Sequence, residues 1–249
     1  MIQDYVALDL ETTGLHPVRD RILEIGAIRV KQGKIEDRYS TLVDCRMRIP
    51  ERITELTGIT DEMLEEARAQ GRAPEVSQAV AELLEFCIVL PHLGHNILFD
   101  YSFVKQNAWN CGLEFEKEGI DTLKIAKVFL SDLPSRSLEA LCAYYQIDTG
   151  GHHRAVEDAM AAASLYNHLA EAFETKEEGQ AGRCGIFLPA KLVCNVKKQV
   201  PATKMQKAYL IDLVKYHRIT LDVSIDSLTK SEASRMIDRI LFSYGRIKR

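Results

Sequence analysis

Tyr5-Val6-Ala7-Leu8-Asp9-Leu10-Glu11-Thr12-Thr13-Gly14 sets two carboxylates inside an apolar run. The β-branched and apolar content predicts a strand, which Thr-Thr-Gly then ends. Side chains alternate on a strand, so Asp9 and Glu11 share one face while Leu8 and Leu10 take the other. Two like charges on a half-buried face repel each other and lose solvation. They stay ionised only where a cation or hydrogen-bond donors compensate them. A divalent metal meets that need; from this stretch alone, an ordinary solvent-facing strand is the alternative.

Outward from it, Ile22 to Val30 and Ile35 to Val43 read as two further strands joined by Gln32-Gly33-Lys34, an antiparallel meander. Beyond Pro50 the spacing turns helical, through Ile53 and Leu56, residues 60–64, and then Val76, Val80, Leu83, Leu84 and Cys87. Ile88 to Gly94 is a short strand weakened by Pro91. It leads through His95-Asn96-Ile97-Leu98-Phe99-Asp100 into a helix that ends near Gly112. Asp121-Thr122 opens another helix, Leu138, Leu141, Cys142 and Tyr145 mark one more, and Gly150-Gly151 breaks the chain before a long helix from Ala155 to Phe173. Strands followed by alternating strands and helices imply a mixed α/β sheet with helices on its faces. Residues 175–184 are polar and without periodicity, so they read as a linker between a domain at 1–174 and a small module at 185–249.

The 249 residues suffice for one sizeable domain and an appendage. No apolar run approaches the roughly 18 residues that span a bilayer, and the N-terminus lacks a basic segment followed by an apolar one. Six scattered cysteines without metal spacing read as reduced packing residues, so a cytoplasmic protein with no membrane contact is expected. The net charge of -4 hides an asymmetry. Residues 183–249 hold 14 Lys and Arg against 5 Asp and Glu, whereas residues 1–182 hold 18 against 31. A basic tail on an acidic body suggests contact with a polyanion, with solubility and interdomain attraction as the alternative.

Four features stand in order: Asp-x-Glu-Thr-Thr-Gly at 9–14, His-Asn-x-x-Phe-Asp at 95–100, Asp-Thr at 121–122 and His-x-x-x-x-Asp-Ala at 153–159. On these motifs residues 4–173 resemble the DEDDh family of 3′-to-5′ exonucleases, the group that contains the proofreading ε subunit of bacterial DNA polymerase III. The resemblance implies a ribonuclease-H-like fold with a five-stranded mixed sheet. It also implies release of nucleoside 5′-monophosphates from DNA, with RNA as the alternative substrate and a catalytically silent binding module as a third reading.

The residue chemistry agrees. Phosphodiester hydrolysis needs a nucleophile, neutralised phosphate charge and a stabilised leaving oxygen, which two divalent cations roughly 3.5 to 4 Å apart supply together. Carboxylate oxygens suit Mg²⁺ or Mn²⁺. The resemblance implies that Asp9 bridges two such ions, that Glu11 and Asp158 complete the first site, and that Asp100 serves the second. Helix capping for Asp100 and a solvated helix position for Asp158 are the ordinary readings. Against the latter, Ala155, Ala159, Ala162 and Ala163 give the long helix a small-residue side suited to close approach to a sheet. His153 is the expected general base, since imidazole accepts a proton at neutral pH; the five-residue spacing to Asp158 selects it over His152. By resemblance, Thr12 and nearby amides hold the terminal 3′-hydroxyl, Leu15 lies against its base, and Asn96 and Phe99 line the pocket. The expected ligand is single-stranded DNA or a frayed 3′ end.

In the tail, Thr203-Lys204-Met205-Gln206 and Thr229-Lys230-Ser231-Glu232 both match the capping-box pattern. Ala233, Met236, Ile237, Ile240 and Leu241 form an apolar helical stripe. So short a pair must dock on something to be stable. Nucleic-acid capture is the expected role, with a folding cap or docking of a replication or repair protein as alternatives.

Overall fold

The computed structural model describes residues 1–149, 154–177, 185–197 and 199–247. A six-stranded sheet has the order β3-β2-β1-β4-β5-β6, with β1 at Tyr5–Thr12, β2 at Ile22–Lys31, β3 at Lys34–Leu42, β4 at His92–Gly94, β5 at Glu118–Asp121 and β6 at Ala190–Lys191. The first three strands form the expected antiparallel meander, whereas β4 runs parallel to β1 and to β5. The hairpin between β2 and β3 turns on Gln32 and Gly33, both at positive φ, the twist that suits a two-residue connection. β3 is the outer strand, and its Lys, Glu, Asp and Arg side chains blunt that edge.

The sheet exceeds the expected five strands by β6, which pairs antiparallel with β5. Two residues, Ala190 and Lys191, are too few to leave a periodic signal in the sequence. β4 is also shorter than the span from Ile88 that the sequence suggests. Ile88 caps the preceding helix at φ 47°, and Pro91 offers only its carbonyl, which accepts from Val6 N at 2.9 Å.

Helices α1 (Glu51–Thr57), α2 (Asp61–Ala69) and α3 (Val76–Cys87) follow the meander; α4 (Ile97–Asn110), α5 (Thr122–Phe129), α6 (Leu138–Tyr145) and α7 (Ala155–Glu177) complete the body. One face of the sheet is covered by α3 and α4, which pack Val80, Leu83, Phe103 and Val104 against Val6, Leu8 and Ile25. On the other face α7 packs Ala159, Ala162, Leu165 and Tyr166 against Tyr5, Ala7 and Ile28. The small-residue side of α7 does allow close approach. A Cβ placed on Gly26 would lie 2.0 Å from the Ala155 carbonyl carbon, so β2 meets the helix start at a position only glycine can fill.

Beyond the body, α8 (Lys204–His217) and α9 (Lys230–Tyr244) each begin with a complete capping box, on Thr203 with Gln206 and on Thr229 with Glu232. Leu210, Leu213, Leu228, Ala233 and Ile240 form their common core, with Met236, Ile237 and Leu241 of the predicted stripe packed against it. This pair docks on the body as its size requires. Arg48 N donates to Asp222 O at 2.6 Å, Ser224 N to Arg46 O at 3.3 Å, and Arg21 pairs with Glu232 at 2.9 Å. Residues ahead of the pair already belong to the body: Phe187 is buried against Phe129 and Tyr166, and Leu192 joins the core on the α4 side. The five cysteines among the described residues are all free, while Cys184 lies outside them. No described helix is long and apolar enough to cross a membrane.

Candidate active site

β1 carries Asp9 opposite Gly26 and Glu11 opposite Glu24 on β2. Because Gly26 admits the first turn of α7, Asp158 from that turn comes down beside the two strand carboxylates. One oxygen each from Asp9, Glu11 and Asp158 lie within 4.8 Å of one another, and all three side chains are partly exposed. They open onto a cleft of about 300 Å³ that is also lined by His95, Ser137, Glu139 and Thr149.

Asp100 reaches the same strand from the opposite face of the sheet. It is buried in the first turn of α4, and its Oδ1 accepts from Leu10 N at 3.0 Å. That amide needs a partner because β4 pairs with β1 only at Val6 and Ala7, leaving the edge beyond Ala7 open. The capping alternative for Asp100 therefore does not apply. The N-cap of α4 is Asn96, held at φ 71° by its own N–H donating to Asp121 Oδ1 at 3.0 Å. Asp121 is the capping residue, accepting also from Leu123 N and Lys124 N at the start of α5.

The electrostatics are those of carboxylates crowded together. Burial, then repulsion from Asp100, Asp158, Glu11 and Glu24, pushes the Asp9 carboxyl well above the usual carboxylate range. Burial, Asp158 and Glu24 raise Glu11 to about 8, against a small opposing pull from Arg154. Asp100 is raised by burial even though its hydrogen bonds favour the charged form. The nearest guanidinium is spent elsewhere: Arg154 donates to both oxygens of fully buried Glu24, at 2.6 to 3.1 Å, and Ala155 N adds a third donor. An all-oxygen donor set whose crowded carboxylates raise one another's proton affinity fits a hard divalent ion.

Residues 6–166, well over half the chain, match the exonuclease family of the RNase_T type. The chain belongs to that family. As an exonuclease of this kind it is a nuclease whose family implies use of divalent metal. It is 36% identical over 168 residues to the DNA polymerase III PolC-type of Caldanaerobacter subterraneus subsp. tengcongensis, an alignment covering 68% of this chain and 12% of that much longer relative. In fold it resembles E. coli Exonuclease I in complex with a dA16 oligonucleotide (TM-score 0.58, 18% identity, 70% of this chain and 42% of that one). It also resembles Exonuclease X in complex with 5′ overhanging duplex DNA (TM-score 0.53, 23% identity, 68% of this chain and 92% of that one).

The exonuclease fold brings Asp9, Glu11 and Asp158 together and sets Asp100 against the same strand. His153 lies outside the described residues; Thr149, on the cleft wall, and Arg154, clamped to Glu24, flank its segment. Thr12 is nearly buried and its hydroxyl donates to Gly14 O at 2.7 Å, which folds the loop after β1 back on itself. Leu15 projects from that loop, 74% exposed. Asn96 is exposed, whereas Phe99 is half-buried, packed on Phe103 at 5.0 Å. Sequence reading missed Glu24 and Arg154, although a glutamate inside Ile22-Leu23-Glu24-Ile25 is the same anomaly as Asp9 inside β1. It also assigned nothing to His95, which ties β4 to the α6 approach through Thr122 Oγ1 at 2.9 Å and Arg136 O at 2.8 Å.

Proposed function

We propose that this exonuclease removes nucleotides one at a time from the 3′ end of DNA, releasing nucleoside 5′-monophosphates in a proofreading or repair role. The convergence of Asp9, Glu11 and Asp158 within 4.8 Å carries the proposal. Relatives named as DNA polymerase III, and fold neighbours solved with a dA16 oligonucleotide and with 5′ overhanging duplex DNA, favour DNA, and the dA16 complex favours a single-stranded 3′ end.

Asp9, Glu11 and Asp158 would hold one divalent cation, and Asp9 with Asp100 a second, Mg²⁺ or Mn²⁺ by the oxygen character of the donors. When bound, such ions neutralise the scissile phosphate and make water more acidic. His153 takes the proton from the attacking water on a ring nitrogen. The water oxygen bonds to phosphorus as the bond to the preceding nucleotide's 3′-oxygen breaks, and that oxygen takes a proton from solvent, leaving the shortened strand a new 3′-hydroxyl. The loop folded by Thr12 sets backbone amides and Leu15 at the terminal nucleotide. Asp100, hydrogen-bonded to Leu10 N, stays fixed while the strand advances.

The test is degradation of single-stranded DNA and RNA labelled at either end, with Mg²⁺, Mn²⁺ or EDTA. A 5′-labelled DNA ladder that shortens stepwise, a 3′ label released at once as mononucleotide, and silence in EDTA are expected. Shortening from the 5′ end, or full activity in EDTA, overturns the reading; faster loss of RNA would make the substrate RNA.

A further inference from the structure

A second cleft, of about 470 Å³, lies between the loop after β1 and the start of α9. His16, Arg19, Lys197, Lys230 and Arg235 line it, and none of its lining residues is acidic. The larger hollow of about 790 Å³ at the same module is a useful contrast. There Arg46, Arg48 and Arg68 sit among Asp44, Asp61, Glu65 and Asp222, and each arginine is already in an ion pair. In the smaller cleft, Arg19, Lys197, Lys230 and Arg235 make no ion pair among the described residues. Of the acids beside its walls, Glu232 is paired with Arg21 and closes the Thr229 cap, and Asp20 Oδ2 accepts from His16 N at 2.8 Å.

The walls are cross-linked. Gln199 Nε2 donates to Val18 O at 2.6 Å, and Arg21 ties the loop to Glu232 on α9. Buried Gln106, on the helix that carries Asp100, accepts from Lys197 N at 2.9 Å and donates to Lys197 O at 2.8 Å. The cleft also starts close to the candidate active site along the chain. His16 follows Leu15 directly and lies five residues beyond Glu11, at most about 18 Å along the chain. Cations without ion pairs, gathered on cross-linked walls near such a site, match a phosphodiester backbone.

We propose that this cleft, shared between the β1 loop and α9, grips the sugar-phosphate backbone of single-stranded DNA a few nucleotides upstream of the 3′ terminus; this rests on the exonuclease reading above. The basic module thus acts through one wall of a joint groove rather than as a separate binding unit. A strand too short to leave the active site gains nothing from it.

The test measures affinity for fluorescent oligo-dT of about 4 and about 20 nucleotides in EDTA. The full-length Asp9→Asn protein, which spares the strand, is compared with the same protein carrying R19Q, K230Q and R235Q, all at exposed positions. A control carries K215Q, R239Q and R246Q, cations of the module outside the cleft. With about 0.7 counterions released per phosphate contact on single strands, losing three contacts should weaken the longer strand on the order of 100-fold at about 50 mM salt and only a few-fold at about 300 mM. The control and the short strand should change less than about threefold. Equal weakening by both triple variants, or none by the cleft variant, overturns the proposal. Stepwise turnover of the unmutated protein is scored separately, so a clamp without nuclease activity and a nuclease without this clamp give different results.

Discussion

Glu11 and Glu24 face each other across one rung of the β1–β2 ladder, and the fold treats them in opposite ways. Glu24 is fully buried and answered by three donors, two from the Arg154 guanidinium and one from Ala155 N. Glu11 faces Asp158 and Glu24, and its proton is held to about pH 8. A buried carboxylate that the chain itself neutralises is an anchor, here fastening the start of α7 to the sheet. A carboxylate left among its own kind awaits a charge from outside the chain. The distance between the two roles is one strand spacing.

Removing a member of the unbalanced set gives the sharpest test of this contrast. Asp9→Asn should lower turnover by roughly 10³-fold or more, on the order of 4 kcal/mol of transition-state stabilisation. The melting temperature of the metal-free protein should stay level or rise, because a repelled charge has gone. Steady-state degradation and calorimetry in EDTA check both, and a large loss of metal-free stability would contradict the assignment of Asp9 as an unbalanced group. Breaking the balanced pair should do the reverse. Arg154→Ala strands the buried Glu24 charge, and since the guanidinium is 44% exposed, solvent trims the expected loss to about 2–3 kcal/mol. Denaturant titration reads that loss; an unchanged midpoint would remove the anchor role.

A gentler probe is pH. The Glu11 carboxyl is raised from 4.5 to about 8, so its contribution to metal-free stability is fully present below about pH 4.5 and is lost as pH rises through about 8. Asp9 shifts in the same direction. Melting temperature in EDTA should therefore fall between about pH 5 and pH 8.5, and the rise produced by Mn²⁺ or Mg²⁺ should grow over the same window. A flat profile in EDTA would show these carboxylates to be compensated after all. Smallest of all, Leu15→Ala lies outside both environments and should raise KM by roughly three- to tenfold, with kcat little changed. A fall in kcat at constant KM would give Leu15 another part.

What was legible in the sequence follows from what each residue does locally. Asp9 and Glu11 stand out because charge interrupts an apolar strand, and both capping boxes stand out because every member lies within four residues. The Glu24–Arg154 clamp joins residues 130 apart, and no spacing along the chain announces it. β5 was hidden because Glu118–Asp121 is short, holds Gly119, and ends on the residue that caps α5, so its last position reads as the opening of a helix. The cleft between the β1 loop and α9 showed only as a net charge; that Glu232 pairs with Arg21, 211 residues away, is set by the fold and not by spacing.

β6 changes how the protein can be dissected. It hydrogen-bonds along β5, Leu192 sits where a side chain on Gly119 would otherwise be, and Phe187 fills the space beside Tyr166. A fragment stopped at the end of α7 would present a bare strand edge over an emptied hydrophobic socket, an invitation to self-association. Trimming after Lys197 keeps that seal and both Lys197 bonds to Gln106, while removing the helical pair together with its Arg21–Glu232 and Arg48–Asp222 contacts.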